Sequence, residues 1–175
     1  VLSKLKLNNH TSLLAVIVNE QGAVKASSFS EIKYLGYPFS ISETFQLKNS
    51  NKKINESLVL VEKIQNMCAK SNQELLVYIS MAFGNIYNDT YSINILLEYI
   101  QKLIQLGVKN FTLADTIGSA DKKIIYDIFL ELNKINQAFF GLHLHTEKKS
   151  AIEKIESAWI AGCRRFDSTI RGFGG

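Results

Sequence analysis

Two histidines one residue apart, in Gly141-Leu-His143-Leu-His145-Thr146, are the residues whose type and spacing point most directly to chemistry. A strand sends alternate side chains to opposite faces, so His143 and His145 leave the same face. Imidazoles placed in this way commonly share a divalent ion. An H-x-H in a strand is more often structural, but here it stands at the polar end of an apolar run, and that favours a metal. Two imidazoles do not complete a coordination shell. A mixed nitrogen and oxygen site with open positions suits Mg²⁺, Mn²⁺ or Zn²⁺ acting as a Lewis acid on a carbonyl and a neighbouring alkoxide. Thirty residues upstream, Phe111-Thr-Leu-Ala-Asp115-Thr-Ile-Gly118 is an apolar strand ending in a carboxylate and a turn glycine. Asp115 reads as a ligand, a base, an orienter of one histidine, or a cap on the turn into the next helix. The two strand ends are expected to form one site.

The elements that must position them alternate in type. Apolar runs rich in β-branched residues at 13–18, 32–35, 75–80, 111–114, 139–144 and 164–169 predict six strands. Helical spacing lies at 54–69, 91–106, 122–132 and 150–161, and 48–55 reads as a polar loop. The opening residues 1–7 also have helical spacing. Gly107 and Gly162 stand where a helix should close before the next strand. Continuously apolar strands suit a parallel sheet buried on both faces. No glycine-rich phosphate loop follows an early strand, as an open doubly wound sheet would require. Polar residues gather instead at strand C-termini, which a barrel would set on one rim. The predicted fold is α/β, a (β/α)₈ barrel with about six of its eight βα units present, as one partial catalytic domain over 1–175.

Composition narrows the class. At 175 residues, 46% hydrophobic and 21% charged, the chain can bury one sizeable core. Its net charge of +4 is spread over many segments without interleaved aromatics, which argues against nucleic acid. A solvated surface accounts for most of that charge, although a mild positive balance also suits an anionic small substrate such as an acyl-CoA. Cys68 and Cys163 form no metal or disulfide motif and read as core residues. Trp159 reads as packing and His10 as solvated. No apolar run approaches the ~20 residues that cross a bilayer, so the expectations are no membrane partner and a cytoplasmic location. Asp167 and Ser168 are candidate rim groups or partners of neighbouring strand ends, and Gly172-Phe-Gly-Gly175 a loop that approaches a ligand or closes over it.

Taken together, Leu113-Ala-Asp115-Thr-Ile-Gly118, His143-Leu-His145 and Phe166-Asp-Ser-Thr-Ile-Arg-Gly-Phe-Gly-Gly175 resemble the 3-hydroxy-3-methylglutaryl-CoA lyases of the metal-dependent aldolase-like barrel superfamily. The resemblance runs over most of the chain, including Val18-Asn-Glu-Gln-Gly22, Tyr34 to Glu43 and Ser80 to Asn85. It implies a retro-Claisen cleavage of an acyl-CoA substrate to acetyl-CoA and acetoacetate, with Mg²⁺ or Mn²⁺ held by His143 and His145. It also implies an active-site role for Asp115 and a substrate-binding role for Thr116. A homodimer is compatible with it. Several residues depart from the pattern: Thr146 replaces a common Asp, Glu147-Lys148-Lys149 follows the pair, Ile86 stands where Pro is common, and Arg171 enters the glycine loop. The family's first strand, with its Arg-Asp pair, and the Cys beyond the glycine loop lie outside these residues, so the 175-residue chain alone is expected to have little activity. Two alternatives remain. One is a Claisen-condensing synthase of the isopropylmalate or homocitrate type, against which Gly-Phe-Gly-Gly argues; the other is a barrel remnant without catalysis.

Overall fold

Strand polarity and helix caps build one curved layer of sheet with helices on its outer face. The computed structural model describes residues 2–169. In chain order a 3₁₀ turn at Leu2–Lys4 precedes β1 (Leu13–Val16), α1 (Glu20–Ser27), β2 (Ile32–Ser40), α2 (Glu43–Ser50), α3 (Ile54–Ser71) and β3 (Glu74–Ser80). Then come α4 (Ile93–Gln105), β4 (Asn110–Asp115), α5 (Lys122–Leu132), β5 (Phe139–Leu144), α6 (Lys148–Ile160) and β6 (Arg165–Phe166). The six strands are parallel and lie side by side in sequence order. This is an α/β half-barrel, as the alternation of elements predicts.

The helices begin where short polar side chains can take up free backbone N–H groups. Asn19 accepts from Gly22, Ser92 from Ile95 and Asp121 from Ile124. Helices α4 and α6 end at Gly107 and Gly162, both at positive φ. The strands predicted at 13–18 and 164–169 are shorter, and β2 is longer, running through Gly36 and Pro38 to Ser40. Pro38 is tolerated because it shares its side of β2 with Gly36, whose carbonyl accepts from Ile17; β1 has ended by then, so no ladder bond is lost. Two helices escape sequence periodicity. The first, α1, has only eight residues, and α2 buries a single side chain, Gln46, so the expected polar loop at 48–55 in fact contains the end of α2 and the start of α3.

The two faces of the sheet differ in kind. Leu35, Tyr37, Phe39, Val77, Ile79, Phe111 and Leu113 are fully buried on the outer face, against the helices. The inner face carries Tyr78, Thr112, Gly141 and Arg165 in one register row, and on the same face Gly36 pairs with Leu76 and His143 with Ala114. Cys68 and Cys163 are buried in the core as expected. Trp159 corrects the sequence expectation: it is 53% exposed on α6, where its ring lies 4.1 Å from the Arg164 guanidinium carbon instead of packing inside. Among the described residues no helix is long and apolar enough to cross a membrane.

Candidate metal and active site

The histidine pair lies on the inner face at the C-terminal end of β5. Alternation delivers both rings to one point, with Nε2 of His143 3.1 Å from Nε2 of His145 and the ring centroids 5.1 Å apart. Tyr78, from β3, meets His143 edge-on with centroids 6.1 Å apart. The other nitrogen of His143 is committed: Nδ1 lies 3.0 Å from Oδ2 of Asp167, just past β6. A carboxylate only accepts, so the imidazole donates through Nδ1–H and presents a lone pair at Nε2. The Asp167 backbone N–H is itself tied to the Leu142 carbonyl at 3.0 Å. Burial pushes the Tyr78 phenol up to about 12, helped by the charge of Asp167 and opposed by that of Arg165.

These atoms fit a divalent ion. A separation of 3.1 Å between the two Nε2 atoms is less than twice a metal–imidazole bond of ~2.0–2.1 Å, so one ion reaches both. Asp167 gives His143 the carboxylate partner that would orient it as a ligand. Among the described residues there is no cluster of three His, Cys, Asp or Glu side chains able to hold an ion, so the pair supplies part of a shell. The pair opens on a pocket of about 630 Å³, walled by Gly118, Thr146, Glu147, Ser150, Lys154 and the segment Asp167–Thr169. A larger groove between α1 and α3 is lined by exposed Val24 and Val59 with the charges of Lys25, Lys63, Glu20 and Glu56 around them, one pair of these already joined as Lys63–Glu20.

Asp115 does not join the imidazoles. Counting along β4, it shares its face with Phe111 and Leu113, and its register partner on β5 is Leu144, whereas Ala114 is the partner of His143. Its carboxylate therefore points among the helices. It is 1% exposed, Oδ1 accepts from the Ala120 N–H at 3.1 Å, and Oδ2 lies 3.9 Å from Nζ of Lys154 on α6. Of the four roles open to Asp115 in the sequence, the structure shows the cap on the turn into α5. Thr116 is also tied to backbone: Oγ1 accepts from the Met81 N–H at 2.8 Å, joining the ends of β3 and β4 and holding Met81 at φ 59°.

What brings the two motifs together is Gly118. The turn after β4 closes with the Gly118 N–H on the Asp115 carbonyl at 3.1 Å, with Gly118 at φ 70°. A Cβ there would stand 2.7 Å from the His145 carbonyl oxygen, so only glycine lets this loop touch the histidine strand. Asp167, expected as a rim group or as a partner of a neighbouring strand end, bonds His143 at the end of β5. Two contributors were not expected from the sequence, Lys154 as counter-ion of Asp115 and Arg165 beneath the pair. Lys154 did leave a signal, since it falls on the buried face of α6 with Ala158, where a lysine is unexpected without an acid. Ser168 lines the pocket. His10 is exposed, as expected. The expectations for Arg171 and for Gly172–Gly175 lie outside the described residues.

Known proteins share this fold. A 30% identical stretch of 139 residues, 78% of this chain and 46% of the relative, matches the Bacillus subtilis hydroxymethylglutaryl-CoA lyase YngG. The Pseudomonas mevalonii hydroxymethylglutaryl-CoA lyase is 26% identical over 176 residues, 100% of this chain and 58% of its own length. The chain thus spans about half the length of the curated relatives it matches. The crystal structure of the Bacillus subtilis HMG-CoA lyase superposes with a TM-score of 0.88 at 27% identity, covering 98% of this chain and 57% of that one. The carboxyl transferase domain of Rhizobium etli pyruvate carboxylase shares the fold alone, with a TM-score of 0.66 at 14% identity over 90% of this chain and 27% of its own. The family model described as HMGL-like matches residues 4–175, and the chain belongs to that family.

Proposed function

We propose that this chain supplies the metal-binding half of a carbon–carbon lyase active site that cleaves 3-hydroxy-3-methylglutaryl-CoA to acetyl-CoA and acetoacetate. The observation that carries the proposal is the convergence of the two Nε2 atoms at 3.1 Å with Nδ1 of His143 held by Asp167. His143 and His145 would hold Mg²⁺ or Mn²⁺, which when bound supplies Lewis acidity toward the 3-hydroxyl and a carboxylate oxygen of the substrate. In the cleavage a base takes the hydroxyl proton and the carbonyl of acetoacetate forms. The bond to the carbon next to the thioester breaks, and its electron pair leaves as the acetyl-CoA enolate, which is then protonated. Gly118 shapes the wall beside the pair through its contact with the His145 carbonyl, and Thr116 ties the end of β4 to the end of β3. Asp115 acts from the outer face, fixing the turn that carries them, instead of touching substrate.

Support comes from the family membership, the lyase relatives and the donor set. The test is Mn²⁺ titration of the protein followed by an acetoacetate assay with 3-hydroxy-3-methylglutaryl-CoA. Saturable Mn²⁺ binding that His143→Ala and His145→Ala each abolish, together with acetoacetate release by the complete protein, is the expected result. CoA release from acetyl-CoA plus a 2-oxo acid, without acetoacetate, would replace the lyase with a condensing synthase. Absence of Mn²⁺ binding would leave a barrel remnant.

A further inference from the structure

The interior of a barrel is ordinarily filled by branched apolar side chains, yet here a guanidinium lies beneath the histidine pair. Arg165 and Asp167 are two residues apart and share the inner face of the sheet. Arg165 pairs in register with Gly141. From β6 its side chain crosses β5 and reaches β4, where Nη2 donates to the Phe111 carbonyl and, at 3.0 Å, to Oγ1 of Thr112. The crossing is possible only at a glycine: a Cβ on residue 141 would stand 2.6 Å from Nε and 3.1 Å from Nη2. The guanidinium thus clamps three strands directly below His143, which stands two residues above Gly141 on the same face.

This position is unfavourable for a cation. Burial pushes Arg165 below its ordinary value, and the groups that oppose the shift are Asp167, the phenols of Tyr78 and Tyr34, and Cys163. Asp167 is the only carboxylate among them, and Nε of Arg165 has no acceptor. A leucine would fill the same space without that penalty. What a leucine lacks is the ability to bond β4 from β6 and to set a positive charge two residues below the carboxylate that orients His143.

We infer that Arg165, made possible by Gly141, is a positioning residue that holds Asp167 and His143 in the ligand-ready arrangement before any ion arrives. The inference rests on reading His143 and His145 as a metal pair. Its test uses the protein with and without Mn²⁺, recording the imidazole ¹⁵N spectrum of the metal-free form and then the Mn²⁺ dissociation constant. The wild type should show His143 as a single Nδ1–H tautomer. Arg165→Met and Gly141→Ala should each mix its tautomers and weaken Mn²⁺ binding roughly tenfold or more, the range found for residues that orient a metal ligand. Arg165→Lys keeps the charge without the fork and should fall between them. A folded Arg165→Met protein with a single Nδ1–H tautomer and wild-type affinity would overturn the inference. Should that variant fail to fold, unchanged tautomers in both Arg165→Lys and Gly141→Ala would overturn it equally. A wild type that binds no Mn²⁺ would overturn both this inference and the functional proposal, whereas wild-type Mn²⁺ binding and tautomer in Arg165→Met overturn this inference alone.

Discussion

Replacing Gly118 by Ala tests how the two motifs are joined. The structure predicts two separable effects. The first is backbone strain, since an L-residue at the φ of 70° found here costs about 1–2 kcal/mol. The second is collision: the new Cβ stands 2.7 Å from the His145 carbonyl oxygen, where ordinary contact begins at 3.4 Å, and the obstacle is backbone that cannot swing aside. Gly107 is the control. It too has positive φ, 91°, but its Cβ would meet only the flexible Gln65 side chain at 3.5 Å. Gly107→Ala should therefore cost about 1–2 kcal/mol and leave metal binding untouched. Gly118→Ala should cost about 3 kcal/mol or more once collision is added to strain. At about 2–4 °C per kcal/mol, that lowers the thermal midpoint by roughly 6–12 °C, against roughly 2–8 °C for the control. Because relief of the collision moves His145, Mn²⁺ affinity should also fall by about tenfold or more. Calorimetry of both variants, with a Mn²⁺ titration of each at a temperature where both are folded, reads the two effects apart. Equal midpoints and wild-type affinity in Gly118→Ala would refute the claim that this glycine couples the β4 turn to the histidine strand.

The Asp115–Lys154 pair should be costly to break and cheap to delete. Lys154→Met leaves a carboxylate that is 1% exposed without its cation and should lose about 3–5 kcal/mol in urea unfolding, while the double variant with Asp115→Leu recovers much of that loss; a loss within experimental error for Lys154→Met would show the pair to be idle. Alkali should unfold the protein early. Burial pushes the Cys68 thiol from 9.0 up to about 11 and the phenols of Tyr78 and Tyr91 up to about 12. Each group holds its proton more tightly when folded, so the stability it contributes is intact below its unfolded value and is lost as pH rises toward the folded one. Urea midpoints should fall from about pH 9 upward, and Cys68→Ala should flatten the first part of that decline; an unchanged slope would remove Cys68 as its source.

How far the site could be read in advance depends on which physical signal each residue leaves. The histidine pair was legible because strand alternation is local: two residues apart means one face, whatever the rest of the chain does. The same rule places Asp115, counted from Phe111 and Leu113 as one apolar face that ends in a carboxylate. The expectation that Asp115 meets the imidazoles followed the closeness of two strand ends, and parity overrides closeness. Asp167 has the right parity with Arg165, but its partner depends on how β6 lies against β5, and that is set by tertiary packing. Helix α2 gives no apolar stripe at all. Its N-terminus is held from a distance by Asp89, whose carboxylate takes the Ser42 and Thr44 hydroxyls and the Thr44 N–H, and no periodicity encodes that lock.

The inner and outer faces of the sheet consequently do different work. The outer face supplies cohesion through Leu35, Tyr37, Phe39, Phe111 and Leu113, and there Asp115 with Lys154 pins the turn of Asp115–Gly118 from behind. The inner face carries the proposed chemistry, with His143 bonded to Asp167 and, two residues before Asp167, Arg165 bonded across to β4. Lys154 also lines the pocket on which the pair opens, but the backbones of the two motifs touch where Gly118 lies against the carbonyl of His145. A perturbation on the outer face should reach the metal pair through that contact, as a displacement of His145, with His143 still held by Asp167. Lys154→Met in the metal-free protein should accordingly disturb the ¹⁵N signals of His145 while sparing those of His143. The reverse pattern would mean that the two faces are coupled through β5 itself and not through the turn.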